Sequence, residues 1–252
     1  MIALADLVTH LDEFLEIEKF EDYPNALNGL QVENPGTVKK IAAAVDACEA
    51  TIQAAVQCGA DFLLVHHGLF WGGLAPATGA AYRKLRWAIE GGLAVYSAHL
   101  PLDAHPEVGN NTLLAAALGL PLPGKPFLEV CGQPIGLCFE ESLNREVLHS
   151  RIEEEVGGRV VLAAGGPVTT RRIGVVTGGA GSEIVRAAAE GIDTFLTGEG
   201  PHWSYTAAEE LGVNLFLAGH YATETYGVRA LAERLARHHN LEVEFLDHPT
   251  GL

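Results

Sequence analysis

The chain carries one short pattern twice, and that repetition constrains its fold more than any other feature. Ile41 to Gly68, IAAAVDACEATIQAAVQCGADFLLVHHG, aligns without a gap to Ile173 to Gly200, IGVVTGGAGSEIVRAAAEGIDTFLTGEG, 132 residues further on. Each copy reads as an apolar strand, a turn, an alanine-rich helix, Gly-x-Asp and a second apolar strand leading to a glycine. Ile52 matches Ile184, Ala55 matches Ala187, Gly59 matches Gly191, Asp61 matches Asp193 and Leu64 matches Leu196. Strand, helix, strand in this order implies parallel pairing, because parallel neighbours need a crossover. Past each copy a further strand ends in a small residue and a histidine, with an acid four residues later: Leu93–Ala98 with His99 and Asp103, and Val213–Gly219 with His220 and Glu224. Two such units predict duplicated three-layer α/β halves with mixed, largely parallel sheets. The expected division is residues 1–124 and 125–252, joined at Leu120–Lys125, LPLPGK, with the C-terminal residues able to pack back on the first half.

Outside the repeat, apolar spacing predicts an amphipathic helix over Ala5 to Phe20, broken by the turn signals Tyr23-Pro24-Asn25 and Asn28-Gly29. Glu129–Val161 reads as strand, helix and strand placed before the second copy. A hydrophobic content of 48% is enough for a sizeable core and excludes a disordered chain. No apolar run approaches the roughly 20 residues of a membrane span. The opening residues, with Asp6, His10, Asp12 and Glu13, do not resemble a secretory leader, so the expected compartment is the cytoplasm. Cys48, Cys58, Cys131 and Cys138 match no zinc-ribbon or CxxC spacing and are expected to be small core residues. With 32 Asp and Glu against 16 Lys and Arg, the formal charge is −16. Such a surface repels a phosphate backbone, which makes duplex DNA a poor partner, and attracts divalent cations.

Chemistry gathers at the strand ends. FLLV runs into His66-His67, LAVYSA into His99 and VNLFLA-Gly into His220. Ligands of open α/β sheets bind beyond the carboxyl ends of strands, so histidines far apart in sequence converge there. Asp103 and Glu224 accompany them. Imidazole nitrogen with carboxylate oxygen suits zinc, manganese, iron or nickel. Neighbouring side chains on extended backbone point to opposite sides, so the adjacent pair His66-His67 favours two nearby ions over one. His220 and Glu224 share a face if a helix starts there. Pro101 between His99 and Asp103 predicts an extended turn instead. Glu199 and His202, in the second-copy counterpart of the His66-His67 segment, are candidates for proton transfer or for capping a turn. The glycine-rich run Thr177–Ser182 is read as a tight turn in preference to an anion cradle. His10, His105, His149, His238, His239 and His248 are read as hydrogen-bonded structural groups.

Several motifs then recur together: Asn28-Gly29-Leu30-Gln31, Val65-His66-His67-Gly68-Leu69-Phe70-Trp71, His99-Leu100-Pro101-Leu102-Asp103, Gly109-Asn110-Asn111, Thr197-Gly198-Glu199 and Gly219-His220-Tyr221-Ala222-Thr223-Glu224. In these the chain resembles, over essentially its whole length, the Nif-three-like family of dinuclear-metal proteins, also labelled GTP cyclohydrolase type-two-like. The resemblance implies two similar α/β domains with two divalent metals between them and a ring-like hexamer. It implies His66, His67, Asp103, His220 and Glu224 as ligands, with Glu224 bridging. His99 falls outside that set and, with His202, is left as a proton-transfer candidate. The short stretch between Asn111 and Ile173 leaves no room for the large inserted domain of some members. The implied activity is metal-dependent hydrolysis of a nucleotide or related small molecule, such as GTP ring opening. The alternative from another class is a non-catalytic metal-binding or regulatory adaptor.

Overall fold

A computed structural model describes residues 1–24, 26–71, 73 and 75–252, so Asn25 of the first turn signal lies outside the described residues. The chain forms two compact units, Met1–Leu102 with Gly227–His248, and Asp103–Tyr226 with Pro249–Leu252. In chain order the elements are β1 (Ile2–Ala3), α1 (Leu4–Phe14), β2 (Gly29–Val32), β3 (Thr37–Val38), β4 (Lys40–Asp46), α2 (Glu49–Gln57), β5 (Phe62–His67), α3 (Gly79–Glu90), β6 (Ala94–Ser97) and α4 (Leu100–Asp103). They continue with α5 (Asn110–Ala117), β7 (Lys125–Val130), β8 (Gln133–Glu140), α6 (Arg145–Val156), β9 (Val161–Ala164), β10 (Arg172–Val175), α7 (Ile184–Ala189), β11 (Thr194–Thr197), α8 (His202–Leu211), β12 (Asn214–Leu217), α9 (His220–His239) and β13 (Glu242–Phe245).

In the first unit a five-stranded sheet has the order β13-β4-β5-β6-β2, with only β2 antiparallel to its neighbour. In the second a six-stranded sheet has the order β7-β8-β10-β11-β12-β9, parallel at its centre and antiparallel at both flanks. The predicted α/β class with mixed, largely parallel sheets is the class observed.

The repeat is a repeat of pairing as well as of sequence. Ile41 faces Phe62 across β4 and β5, and Ile173 faces Thr194 across β10 and β11, the same two positions 132 residues on. The Gly-x-Asp signature has a physical role in both copies. Gly59 and Gly191 take φ of +75° and +80°, the left-handed backbone that ends a helix and that glycine adopts without steric cost. The following aspartate caps the start of the first strand. Asp61 Oδ2 accepts the N–H groups of Lys39 and Lys40 at 2.7 and 3.1 Å. Asp193 accepts those of Arg171 and Arg172 at 3.0 to 3.3 Å.

Each sheet buries an apolar face against helices. Ala42, Ala44, Leu63, Val65 and Val95 pack with Ile52, Ala55 and Ala88 from α2 and α3 in the first unit. Ile173, Val175, Leu196 and Phe216 pack with Leu114, Leu148 and Ile152 from α5 and α6 in the second. Small alanines along β4 let the helix approach, and near-continuous burial of β4 and β5 is what a parallel strand covered on both faces requires.

Four local expectations are corrected. The first helix stops at Phe14, because Glu16 takes left-handed backbone at φ 51° and a short 3-10 turn follows. The stretch before the second copy holds two strands ahead of α6, since Cys131 and Gly132, both at positive φ, make the tight turn that pairs β7 with β8. Leu100–Asp103 is a helical turn, with Pro101 in its first turn, where a missing N–H goes unused. All four cysteines are free, but Cys138 alone of them is buried, and Cys131 is exposed. Among the described residues no helix is long and apolar enough to cross a membrane.

Candidate metal centre

In the first unit, β5 delivers His66 and His67 at its carboxyl end, and the segment after β6 delivers His99. His66 is fully buried, with Nδ1 at 2.8 Å from the carbonyl oxygen of Ala98. A carbonyl only accepts, so Nδ1 carries the proton and Nε2 keeps its lone pair. His67 Nδ1 donates to Asp46 Oδ1 at 2.9 Å, and Asp46 is also its partner in the strand ladder. His99 Nδ1 lies 3.0 and 3.1 Å from the two oxygens of Asp22. Burial opposes ionisation of Asp22, yet the hydrogen bond and charge of His99, with donors from Asn28 and the Tyr23 N–H, hold its carboxyl below the usual value. One carboxylate or carbonyl thus fixes each ring through Nδ1 and leaves Nε2 free of that bond, the orientation in which an imidazole can ligate a metal or move a proton.

The neighbouring motifs hold these rings in place. Asn28 Oδ1 accepts the His99 N–H at 2.7 Å, and Gln31 Oε1 accepts the Leu69 N–H at 2.6 Å. A side chain on Gly68 would displace the Gln31 amide, so glycine here lets Gln31 reach the Leu69 N–H. One ring nitrogen of each of His66, His67 and His99 lies within 4.8 Å of the others. Strict alternation predicts that His66 and His67 diverge, but their ring centroids are 4.7 Å apart, since His67 is the last residue of its strand and Asp46 fixes its ring. Local backbone geometry therefore does not by itself demand two ions. Trp71, partly exposed, stands edge-on to His99 with centroids 4.5 Å apart.

In the second unit, Asp103 is buried at the end of α4. Its Oδ1 accepts from Asn110 Nδ2 at 2.8 Å and from Thr177 Oγ1 at 3.3 Å. Asn111 ties the Asp103 carbonyl to the Thr177 N–H. A Cβ on Gly109 would come within 2.7 Å of the Asp103 carbonyl oxygen, which accounts for Gly109-Asn110-Asn111 as the brace of this carboxylate. His220 and Glu224 occupy the first turns of α9, as the four-residue spacing predicts, with Nε2 to Oε2 at 3.2 Å. His220 Nδ1 reaches Glu199 Oε1 at 3.0 Å. Burial disfavours charge on His220, but the Glu224 and Glu199 carboxylates outweigh it and push its pKa up to about 9.

Glu224 is 2% exposed, and a buried carboxylate is costly unless a cation or donors compensate it. The His220 imidazolium supplies part of that charge, a place a divalent ion can take. The glycine-rich run belongs to this wall. Gly178 sits at φ +70°, and a methyl there would run into Glu224 Oε1. A Cβ on Gly181 would strike the Gly200 backbone. These glycines allow close approach, in keeping with a tight turn. His202 opens α8, exposed, and joins none of the donor clusters among the described residues.

Asp22 and Asp46 escape the sequence reading. Asp46 carries one signal, its place at the end of the strand that pairs with β5; Asp22 sits in a loop and carries none. His105 and His149 have the structural roles expected of them: His105 Nδ1 accepts the Glu107 N–H, and His149 Nε2 bonds the Val160 carbonyl.

These observations define a class: an α/β protein of two units with histidine and carboxylate donors at strand ends that can hold metal ions. The sequence profile of the Duf34/NIF3 (NGG1p interacting factor 3) family matches residues 2–250, and the chain belongs to that family. It is 44% identical to a GTP cyclohydrolase 1 type 2 homolog of Deinococcus radiodurans, covering 100% of this chain and 95% of that protein. A protein of the same description from Archaeoglobus fulgidus is 41% identical, with 99% of each covered. The crystal structure of TTHA1606 from Thermus thermophilus superposes with a TM-score of 0.91 at 41% identity, covering all of both chains.

Proposed function

We propose that the chain is a dinuclear-metal-dependent hydrolase of a nucleotide or related small molecule, with His66, His67, Asp103, His220 and Glu224 as ligands and Glu224 bridging. The observation that carries this reading is the orientation of His66 and His67, each held by Nδ1 against an oxygen acceptor so that Nε2 is the ligating atom. The ligand set itself follows the family resemblance. Zinc, manganese, iron and nickel all suit it. When bound, such ions supply Lewis acidity and lower the pKa of water from far above neutrality to roughly 7.

The chain's own residues do the rest. Asp22 holds His99 in one tautomer, so Nε2 of His99 can accept the proton of the attacking water and donate it to the leaving group. His202, exposed on α8, is the second imidazole outside the ligand set available for proton movement. Trp71 offers an aromatic edge and face beside His99, suited to a planar base. The name shared by the curated relatives points to GTP as the first substrate to try.

Metal analysis of protein purified without chelators, joined to a nucleotide turnover screen, tests the reading. Two divalent ions per chain that are lost or weakened in Glu224→Ala, over and above any ion held elsewhere, and hydrolysis of a purine nucleotide are expected. Protein holding two ions that turns over nothing belongs to the adaptor class; one ion or fewer at saturation removes the dinuclear centre.

A further inference from the structure

At the opposite end of α9 from His220, a second group of histidines has no part in the proposed reaction. His10 lies on α1, and His238 and His239 are the last residues of α9. Their ring centroids are 4.8 Å (His10 to His238), 4.9 Å (His10 to His239) and 4.5 Å (His238 to His239) apart. One nitrogen from each lies within 4.8 Å of the other two. The Nε2 atoms of His10 and His239 are both buried without a hydrogen-bond partner. A buried ring nitrogen without a partner is costly, and two of them within one three-histidine cluster call for a ligand. Burial first, then the neighbouring imidazoles with Arg234 at His10 and the N-terminal amine at His239, holds the pKa of both His10 and His239 below the usual histidine value, although Glu13 pulls the other way at His10, and this keeps the metal-binding neutral form. The carboxyl end of α9 adds partial negative charge, favourable to a cation.

We infer that His10, His238 and His239 form a separate mononuclear site for a borderline divalent cation of the zinc or nickel class, clipping α1 to the end of α9. Three imidazoles without a carboxylate select this class over magnesium or calcium. Zinc at about 2.1 Å sets tetrahedral ligands roughly 3.4 Å apart, so rotation of the rings closes the observed spacing. His238 is exposed and leaves a fourth position to water.

Zinc titration of the full chain by calorimetry, with elemental counting after gel filtration, decides the matter. The wild type should bind one more equivalent than either His10→Ala or His238→Ala, and the missing equivalent should weaken by more than the roughly 10–100-fold typical of losing an outer partner. The exposed position of His238 makes that variant decisive even if His10→Ala fails to fold. The extra equivalent should persist in Glu224→Ala, so its fate is separate from that of the proposed catalytic centre. Equal stoichiometry in wild type and both variants, or an extra equivalent seen only above about 1 mM zinc, overturns the inference.

Discussion

Gly178→Ala combines two costs that the structure separates. The residue sits at φ +70°, where an L side chain loses roughly 1–2 kcal/mol. The new methyl also meets Glu224 Oε1 about 1 Å or more inside van der Waals contact. Glu224 is 2% exposed and bonded to His220, so it escapes only by leaving its rotamer, a further cost of about 0.5–1.5 kcal/mol, and by loosening its ion pair. The sum is about 2–4 kcal/mol, which for a chain of this size lowers Tm by roughly 5–15 °C. Gly119→Ala is the control: its φ is +73°, but nothing lies within 4 Å of the added Cβ, so it carries the backbone cost alone. Calorimetric melting with a parallel manganese titration should show Gly178→Ala less stable than Gly119→Ala and weaker in metal by at least tenfold, while Gly119→Ala binds metal as the wild type does. If the two variants match in both measurements, the contact between Gly178 and Glu224 has no energetic weight and the reasoning fails.

Other consequences are equally direct. Glu224→Ala should lose one or both ions in calorimetric titration, whereas His99→Ala should keep both with affinity weakened by no more than about 10–100-fold; equal losses would place His99 among the ligands. Asp61→Ala and Asp193→Ala should each destabilise the chain by about 2 kcal/mol in urea melts without changing metal content, because each removes a charged acceptor from two strand N–H groups. Asp22 ionises below its usual value in the folded chain, so its contribution is present above the unfolded pKa near 3.8 and is lost as pH falls through the folded value. Acid melts should therefore show a smaller stability loss below pH 4 in Asp22→Asn than in wild type, and identical slopes would speak against that linkage. Light scattering should find a particle larger than a dimer, as the family resemblance implies; 26.7 kDa at micromolar protein would refute it.

The parts of the fold visible in the sequence were those set by local periodicity. The gapless repeat predicted both parallel pairs, and the four-residue spacing predicted His220 and Glu224 on one helical face. The β7–β8 hairpin was hidden because the first residue of its two-residue turn is Cys131 at positive φ, so Gly132 stands without the Asn or Asp that usually precedes it in such a turn. Asp22 and Asp46 were hidden for a different reason: an acid that aims a histidine is recognised by what it faces, and only strand register or a loop's path sets that. The grouping of His10 with His238 and His239 depends on which face of α1 meets the end of α9. One histidine on α1 and an adjacent pair at the end of α9 give no hint of it.

The shared aspartates point to how the two copies have diverged. Asp61 and Asp193 do the same work on the same backbone groups at the floor of each sheet, while at the rim the matching positions differ: Asp46 aligns with Gly178, and His67 aligns with Glu199. The floor supplies stability that is indifferent to what happens above it. That leaves the rim free to carry a histidine in one copy and a glutamate in the other, or a carboxylate and a glycine, without risking either sheet.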